Sequence, residues 1–254
     1  MTLQLIKKTR FAAPFAAPLL LAVAMQSAMA AHPLVTDDTG TQGTGNNQLE
    51  MNSDRATARD DSAQTVGDVT YSYGLTDTLD LFADQPLNVS APRGIGDTSL
   101  GFKWRFLESG DTSVAFKSSV SMANANDDKG FGSGRNNLTT LLIVSHINGP
   151  LALHYNLGLS TNRFKSQDMQ DANRRMLWTT SAAATYEVLP QLKVVGDIGV
   201  ARNPDITNQQ NPAYALTGVI YSPHQNLDLD AGMKFGLNNA AIKHQFGAGI
   251  TLRF

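Results

Sequence analysis

The chain has 254 residues, 22 acidic and 20 basic side chains, a formal charge of −2 and no cysteine. So small a net charge gives no pull toward nucleic acid, and the lack of cysteine excludes disulfides, thiolate metal sites, a cysteine nucleophile and a lipidated N-terminal cysteine. Charged residues are only 17% of the chain, below the roughly 25% usual in soluble globular proteins, which raises the question of where an apolar surface would lie.

Residues 1–30 read as a secretory signal peptide. Lys7, Lys8 and Arg10 form the basic start, Phe11 to Val23 the apolar stretch, and Ala28-Met29-Ala30 supplies small residues before a cleavage point. The mature chain would begin near Ala31. Residues 31–46 are rich in Gly and Thr and are expected to be a periplasmic lead, or a segment folded into the lumen of the following domain as a partial plug. His32, Asp37 and Asp38 could hold a metal between them, but a polar lead is the simpler account. Beyond Val23 no run approaches the roughly 18 apolar residues of a membrane helix. A chain that crosses lipid without such helices must do so as a closed sheet, because only helices and closed barrels satisfy every backbone group there.

From residue 47 onward the period is two. The pattern predicts twelve strands, at 47–56, 64–75, 78–89, 95–107, 112–123, 136–147, 151–163, 174–188, 191–202, 212–222, 226–237 and 241–253. In the eleventh, Leu227, Leu229, Ala231, Met233 and Phe235 oppose Asp228, Asp230, Gly232, Lys234 and Gly236. The sixth and tenth are apolar on both parities, as in Leu141-Leu142-Ile143-Val144, so their faces stay open. Joints after even strands are short. Those after odd strands are mostly long, and this is the layout of outer-membrane barrels.

Alternation alone also fits a soluble sandwich, whose apolar face points inward. Three features favour the opposite arrangement. The predicted strands mostly exceed the five or six residues usual in globular proteins and suit the roughly nine to eleven of a tilted membrane strand. Twelve strands enclose more space than side chains can fill. The polar parity carries Glu50, Asp68, Asp80, Glu187, Asp197, Asp228 and Asp230 against Lys103, Arg105, Lys117, Lys193, Lys234, Lys243 and Arg253. An ion unpaired in hydrocarbon costs several kcal/mol, so these residues, with His154, are expected to line a wet lumen. Tyr73, Trp104, Phe106, Tyr186, Tyr221 and Phe254 fall toward the short-turn end and Trp178, Phe235 and Phe246 toward the other, as aromatic girdles do.

No catalytic set emerges. His154 has Asn156 and Ser160 on its own face but no lipase-type serine block beside it. Gly130 to Arg135 looks like a phosphate loop, yet a strand pattern follows where a helix is required. Asn124 to Gly130 looks like a calcium loop with its Gly misplaced and Arg135 where a Glu belongs. Neither a cofactor nor a metal is called for.

The chain ends Gly249-Ile-Thr-Leu252-Arg-Phe254, which resembles the terminal assembly signal of bacterial outer-membrane barrels, with Gly247 where a polar residue is usual. His32-Pro-Leu-Val-Thr-Asp37-Asp38-Thr-Gly40 with Gln48 and Glu50, and Gly94-Ile-Gly96-Asp97-Thr-Ser-Leu100-Gly101-Phe-Lys103, resemble the MetA-pathway phenol degradation family of outer-membrane proteins. That resemblance implies a barrel of about twelve strands and uptake of small organic, including aromatic, compounds. The expectation is therefore an all-β transmembrane antiparallel barrel over 47–254, exported through a cleaved signal peptide. Its partners would be outer-membrane lipid, the barrel-assembly machinery and a small-molecule cargo. Three alternatives stand beside it: a barrel enzyme acting on lipid or peptide, a structural barrel without an open pore, and a soluble periplasmic β-protein.

Overall fold

A computed structural model describes residues 32–254, so the signal peptide read over 1–30 lies outside the described residues. The strands in chain order are β1 (Asn47–Thr57), β2 (Ala63–Thr76), β3 (Leu79–Asn88), β4 (Gly94–Ile95), β5 (Ser99–Ser109), β6 (Thr112–Ser121), β7 (Asn137–Asn148), β8 (Leu151–Thr161), β9 (Met176–Leu189), β10 (Leu192–Ala201), β11 (Ala213–His224), β12 (Leu227–Gly236) and β13 (His244–Arg253). β4 is a two-residue spur on the end of β3. The other twelve form a closed antiparallel barrel in which neighbours in sequence are neighbours in space, and β1 closes on β13 from Gln48↔Arg253 to Thr57↔His244. Closure pairs every edge, the condition for spanning lipid with strands.

Tight turns of two residues join the strands at the end that carries the N-terminus of β1, as at Gly110-Asp111 and Gly149-Pro150. Longer loops join them at the other end, including the one that holds a short helix, α1 (Gln167–Ala172).

The expected strands recur with small shifts at their ends, and the fourth departs most. Gly94–Ile95 splits off as β4 and the wall strand starts at Ser99. Gly96 donates its N–H to the Pro86 carbonyl (2.8 Å). Asp97 turns away from the wall and accepts the N–H groups of Ala125 (2.9 Å) and Ser133 (2.9 Å) in the β6–β7 loop. The Gly-x-Gly-Asp block thus ties two loops together instead of continuing a strand. At the other end of β5 the pairing with β6 skips Phe106, because Arg105 faces Ala115 and Leu107 faces Val114. This bulge lets Phe106 and Leu107 both face outward, where both are exposed.

The register settles the two ambiguous strands. In β7, Leu141 and Ile143 point inward and pack with Ala115, while Leu142 is exposed on the outside. In β11, Leu216 and Ile220 point inward against Ala183, Val195 and Leu34, the last contributed by the segment before β1. Those interior apolar residues are therefore covered by other side chains.

The exterior is a continuous apolar band in which Leu81, Leu142, Leu157, Val194, Val219 and Leu229 are all exposed. A band of this extent on a soluble monomer would drive association; on a closed barrel it is the lipid-facing surface. Eight of the nine expected girdle aromatics are exposed and Trp178 is half-buried. The soluble sandwich reading required Leu229 and Phe102 to be shielded, and both lie open on the outer face.

Placing Arg at Leu157, mid-way along the outer face of β8, should lower unfolding free energy in lipid vesicles by about 2–4 kcal/mol. The interior-facing Thr139→Arg on β7 should cost less than about 1 kcal/mol. Urea titration of folded barrel in vesicles measures both, and equal costs would mean that the two faces are assigned wrongly.

Candidate functional site

Twelve strands spaced by about 4.8 Å and tilted by about 40° set a wall radius of about 12 Å. Residues 32–44 occupy the inside of that wall. From the start of β1 backward, the segment meets the strands in nearly the order in which they stand around the barrel. Gly45 donates its N–H to the Gly74 carbonyl (2.8 Å) on β2. Thr44 donates both its N–H (3.0 Å) and its hydroxyl (2.5 Å) to Asp77 in the β2–β3 turn. Those bonds hold the Asp77 carboxyl below the usual aspartate range. The N–H of Gln42 is 3.1 Å from both carboxylate oxygens of Asp80 on β3. Thr39 reaches Ser113 on β6 and Ser145 on β7 (2.6 and 3.1 Å).

Asp37 is the centre of the segment. Its carboxylate lies 2.5 Å from the Lys117 ammonium on β6 and 3.3 Å from that of Lys103 on β5, and it is almost wholly buried. The Asn156 carboxamide on β8, oriented to satisfy both neighbours, accepts the Asp37 N–H (2.6 Å) and donates to the Asp37 carbonyl (2.9 Å). Further along, Thr36 and Val35 donate their N–H groups to Asp197 on β10 (2.7 and 2.8 Å). Asp197 also accepts the Tyr214 hydroxyl from β11 (2.9 Å). Pro33 lies flat on β11 and β12. A Cβ at Gly218 would come within 2.6 Å of its ring and one at Gly232 within 2.5 Å, so only glycine admits it. Finally His32 bonds Asp230 on β12 through Nδ1 and stands 3.5 Å from Asp54 on β1 through Nε2.

Thr36 donates its hydroxyl to Ser181 on β9 (2.7 Å) and the His32 ring lies over Gly247 on β13, so residues 32–45 touch all twelve wall strands. A backbone lying about 5 Å inside the wall would follow a circle of roughly 40 Å, and thirteen residues at up to about 3.3 Å each span that length.

The strand registers put all but one of the residues expected in the lumen on a single face of the sheet. Glu50, Asp68, Asp80, Lys103, Arg105, Lys117, His154, Glu187, Lys193, Asp197, Asp228, Asp230, Lys234 and Arg253 share one parity through the registers. Opposite charges meet at several points. Arg253 pairs with Asp228 (2.6 Å), Arg105 reaches Glu108 (3.2 Å), and Glu187 stands opposite Lys193. Two lysines lie over rings, Lys117 on Phe82 (5.0 Å) and Lys234 on Tyr214 (5.6 Å). Lys243 sits apart from the rest. It precedes β13 at the long-loop rim and bonds the exposed Asp61 (2.5 Å).

His32, Asp37 and Asp38 are not brought together, so the metal arrangement considered from the sequence does not form. His32 is held by Asp54 and Asp230, whereas Asp37 is held by two lysines. His154 does have a serine at hand, Ser145 on β7 (2.8 Å), across the sheet and not on its own face. Ser145 is buried and already accepts the Thr39 N–H, so the pair serves to anchor the segment. In the loops, Asn126 caps a single 3-10 turn and Asp127 pairs with Lys165 (3.0 Å), which holds the Asp127 carboxyl low.

Three interior partners escaped the sequence reading. Asp54 and Asp84 each lie four residues from an acid already on the interior parity, Glu50 and Asp80, with Asn52 and Phe82 between, so the period of two reaches them. Ser145 carried no signal beyond its parity, because its pairing with His154 depends on the β7–β8 register. At the terminus, Gly249 lies beneath Asn52 and Asp230, Leu252 faces out between Leu49 and Leu227, and Phe254 exchanges backbone hydrogen bonds with Asn47 (2.8 and 3.0 Å).

Comparison with solved structures finds barrels of the same kind. The COG4313 outer membrane channel from Pseudomonas putida F1 superposes with a TM-score of 0.68 at 12% identity, covering 85% of this chain and 98% of that one. The NanC porin gives 0.61 at 8% identity, with 80% and 98% covered. The CymD monoaromatic hydrocarbon channel gives 0.50 at 10% identity, with 83% and 88% covered. These likenesses establish the fold. Comparison with curated proteins returned no match. The family model described as "Putative MetA-pathway of phenol degradation" matches residues 33–254, from the first residues of the interior segment to the last residue of the barrel, and the chain belongs to that family.

Proposed function

We propose that this protein is an outer-membrane channel for the passive uptake of small organic molecules, aromatic compounds among them. Residues 1–30 act as a cleaved export signal, and residues 32–44 form a constriction inside the lumen. The carrying observation is the ring of contacts just described: a polar interior of mixed charge narrowed by a segment that follows its wall. Most charges lie in the middle and toward the short-turn end, Asp54 and Lys234 being the exceptions nearer the long loops. Toward the long loops the interior parity carries amides and hydroxyls, such as Gln64, Asn88, Ser119, Thr139 and Thr179. A solute entering from that side meets mostly neutral hydrogen-bonding groups first and the bulk of the charges next. Such a lining favours uncharged polar or aromatic molecules. The family description and the aromatic-hydrocarbon channel among the structural neighbours support the same cargo class.

The enzyme alternative rests on His154, and its burial with Ser145 beneath the segment leaves no access for a lipid or peptide substrate. The structural-barrel alternative is separated by conductance.

Deleting residues 32–44 should raise single-channel conductance severalfold in a planar bilayer. Asp37→Ala should loosen the segment without removing it, leaving two buried lysines short of a carboxylate at a cost of about 3 kcal/mol and giving larger, noisier openings. Conductance unchanged in both variants, each still migrating as a heat-modifiable barrel, would refute the constriction. Ion selectivity should be weak, because the acids of β1–β3 lie beside the bases of β5 and β6 and no ring carries a single sign. A reversal potential close to the ideal cation or anion limit in a salt gradient would contradict this.

A further inference from the structure

Among the described strand residues, every Asp, Glu, Lys and Arg lies on the interior parity except Arg55. Arg55 is near the long-loop end of β1 on the outer face, in line with Leu49 and Met51 and opposite Phe246 on β13 and Thr65 on β2. It is exposed and makes no side-chain hydrogen bond or ion pair with any described residue. The neighbouring loop cations are already engaged. Arg59 donates to the carbonyls of Gly236, Asn238 and Ala241, and Lys243 holds Asp61.

A lone cation on a lipid-facing wall needs a reason. At mid-membrane an Arg costs about 2–4 kcal/mol, falling to about 0–1 near an interface. Arg55 stands level with Phe246, one of the aromatics of the long-loop girdle, so its side chain can extend along the wall to the head-group layer. The next outward position on β1 is Thr57, opposite His244. A guanidinium, two threonine hydroxyls and an imidazole therefore border one patch of outer wall, with Phe246 and Phe235 level with them on β13 and β12. A guanidinium presents a planar fork of donors that matches phosphate oxygens, and it sheds water more readily than an ammonium does. The patch has no acidic residue on its face to compete.

We propose that Arg55 binds the phosphate of a lipid head group in the leaflet on the long-loop side, with the Phe246 ring against the acyl region of the same lipid. This rests on the reading of the chain as an outer-membrane barrel with its long loops outside, and it adds a specific lipid contact to that reading. Charge complementarity selects a phosphorylated lipid, and the exposed phenylalanines select a lipid over free phosphate.

Native mass spectrometry of the purified full barrel in detergent tests it, with bisphosphorylated lipid A, the dephosphorylated lipid and inorganic phosphate as probes. Wild type should retain the bisphosphorylated lipid about fivefold better than Arg55→Gln. Arg55→Lys should lie between, and the dephosphorylated lipid should be held weakly and equally by all three. Equal retention by wild type and R55Q would overturn the proposal, as would equal retention of phosphorylated and dephosphorylated lipid. Displacement of the lipid by inorganic phosphate alone would show a free-phosphate site and would also overturn it. Gel migration before and after heating verifies that each variant is folded. Conductance of R55Q in a bilayer should equal that of wild type, so loss of the lipid contact and failure of the channel reading give different results.

Discussion

The separation of charge from hydrocarbon by one thickness of β-sheet governs this structure. A strand can offer its two faces to two different media only if its side chains obey a strict period of two. Seventeen Asp, Glu, Lys and Arg residues lie within the wall strands, and sixteen of them point inward. Once inside, they are crowded on a concave surface, and like charges would repel. The pairs of Arg253 with Asp228 and of Lys117 and Lys103 with Asp37 relieve that crowding. The wall sets Asp80 opposite Lys103, but the carboxylate in contact with both lysines is that of Asp37. The segment before β1 supplies it, which makes the segment part of the barrel's charge balance as well as an obstruction in its bore.

Much of the barrel was legible because lipid on one side and a polar interior on the other leave a signature in single residues. Leu227 to Gly236 could be assigned face by face without knowing any neighbour. The signature failed where that simple contrast failed. Leu141 and Ile143, and Leu216 and Ile220, are apolar yet inward, because neighbouring interior side chains shield them. The bulge at Phe106 also defeats strict alternation, since it changes the count of residues without changing their chemistry. Ile95 to Thr98 reads as strand from its composition, but Asp97 finds better partners in the next loop.

The interior was legible as a list but not as a set of contacts. Period-two reading places Lys117 inside; it cannot show that Asp37, eighty positions earlier, reaches it. Glycines were informative in the same limited way. Gly218 and Gly232 look like ordinary gaps in strands, and their purpose emerges only when Pro33 is found lying on both. The wall is written locally, whereas the fit of the segment against it depends on the whole closed ring.

The position of His32 has a consequence for the order in which the molecule is completed. Its ring spans from the penultimate strand, at Asp230, to the first, at Asp54, passing over the last strand where a Cβ on Gly247 would strike it. All three strands must be in place before that seat exists, and two of them are the final ones to be synthesised. The residues that precede β1 are therefore the last to find their contacts, and their docking acts as a latch over the join between the two ends of the sheet.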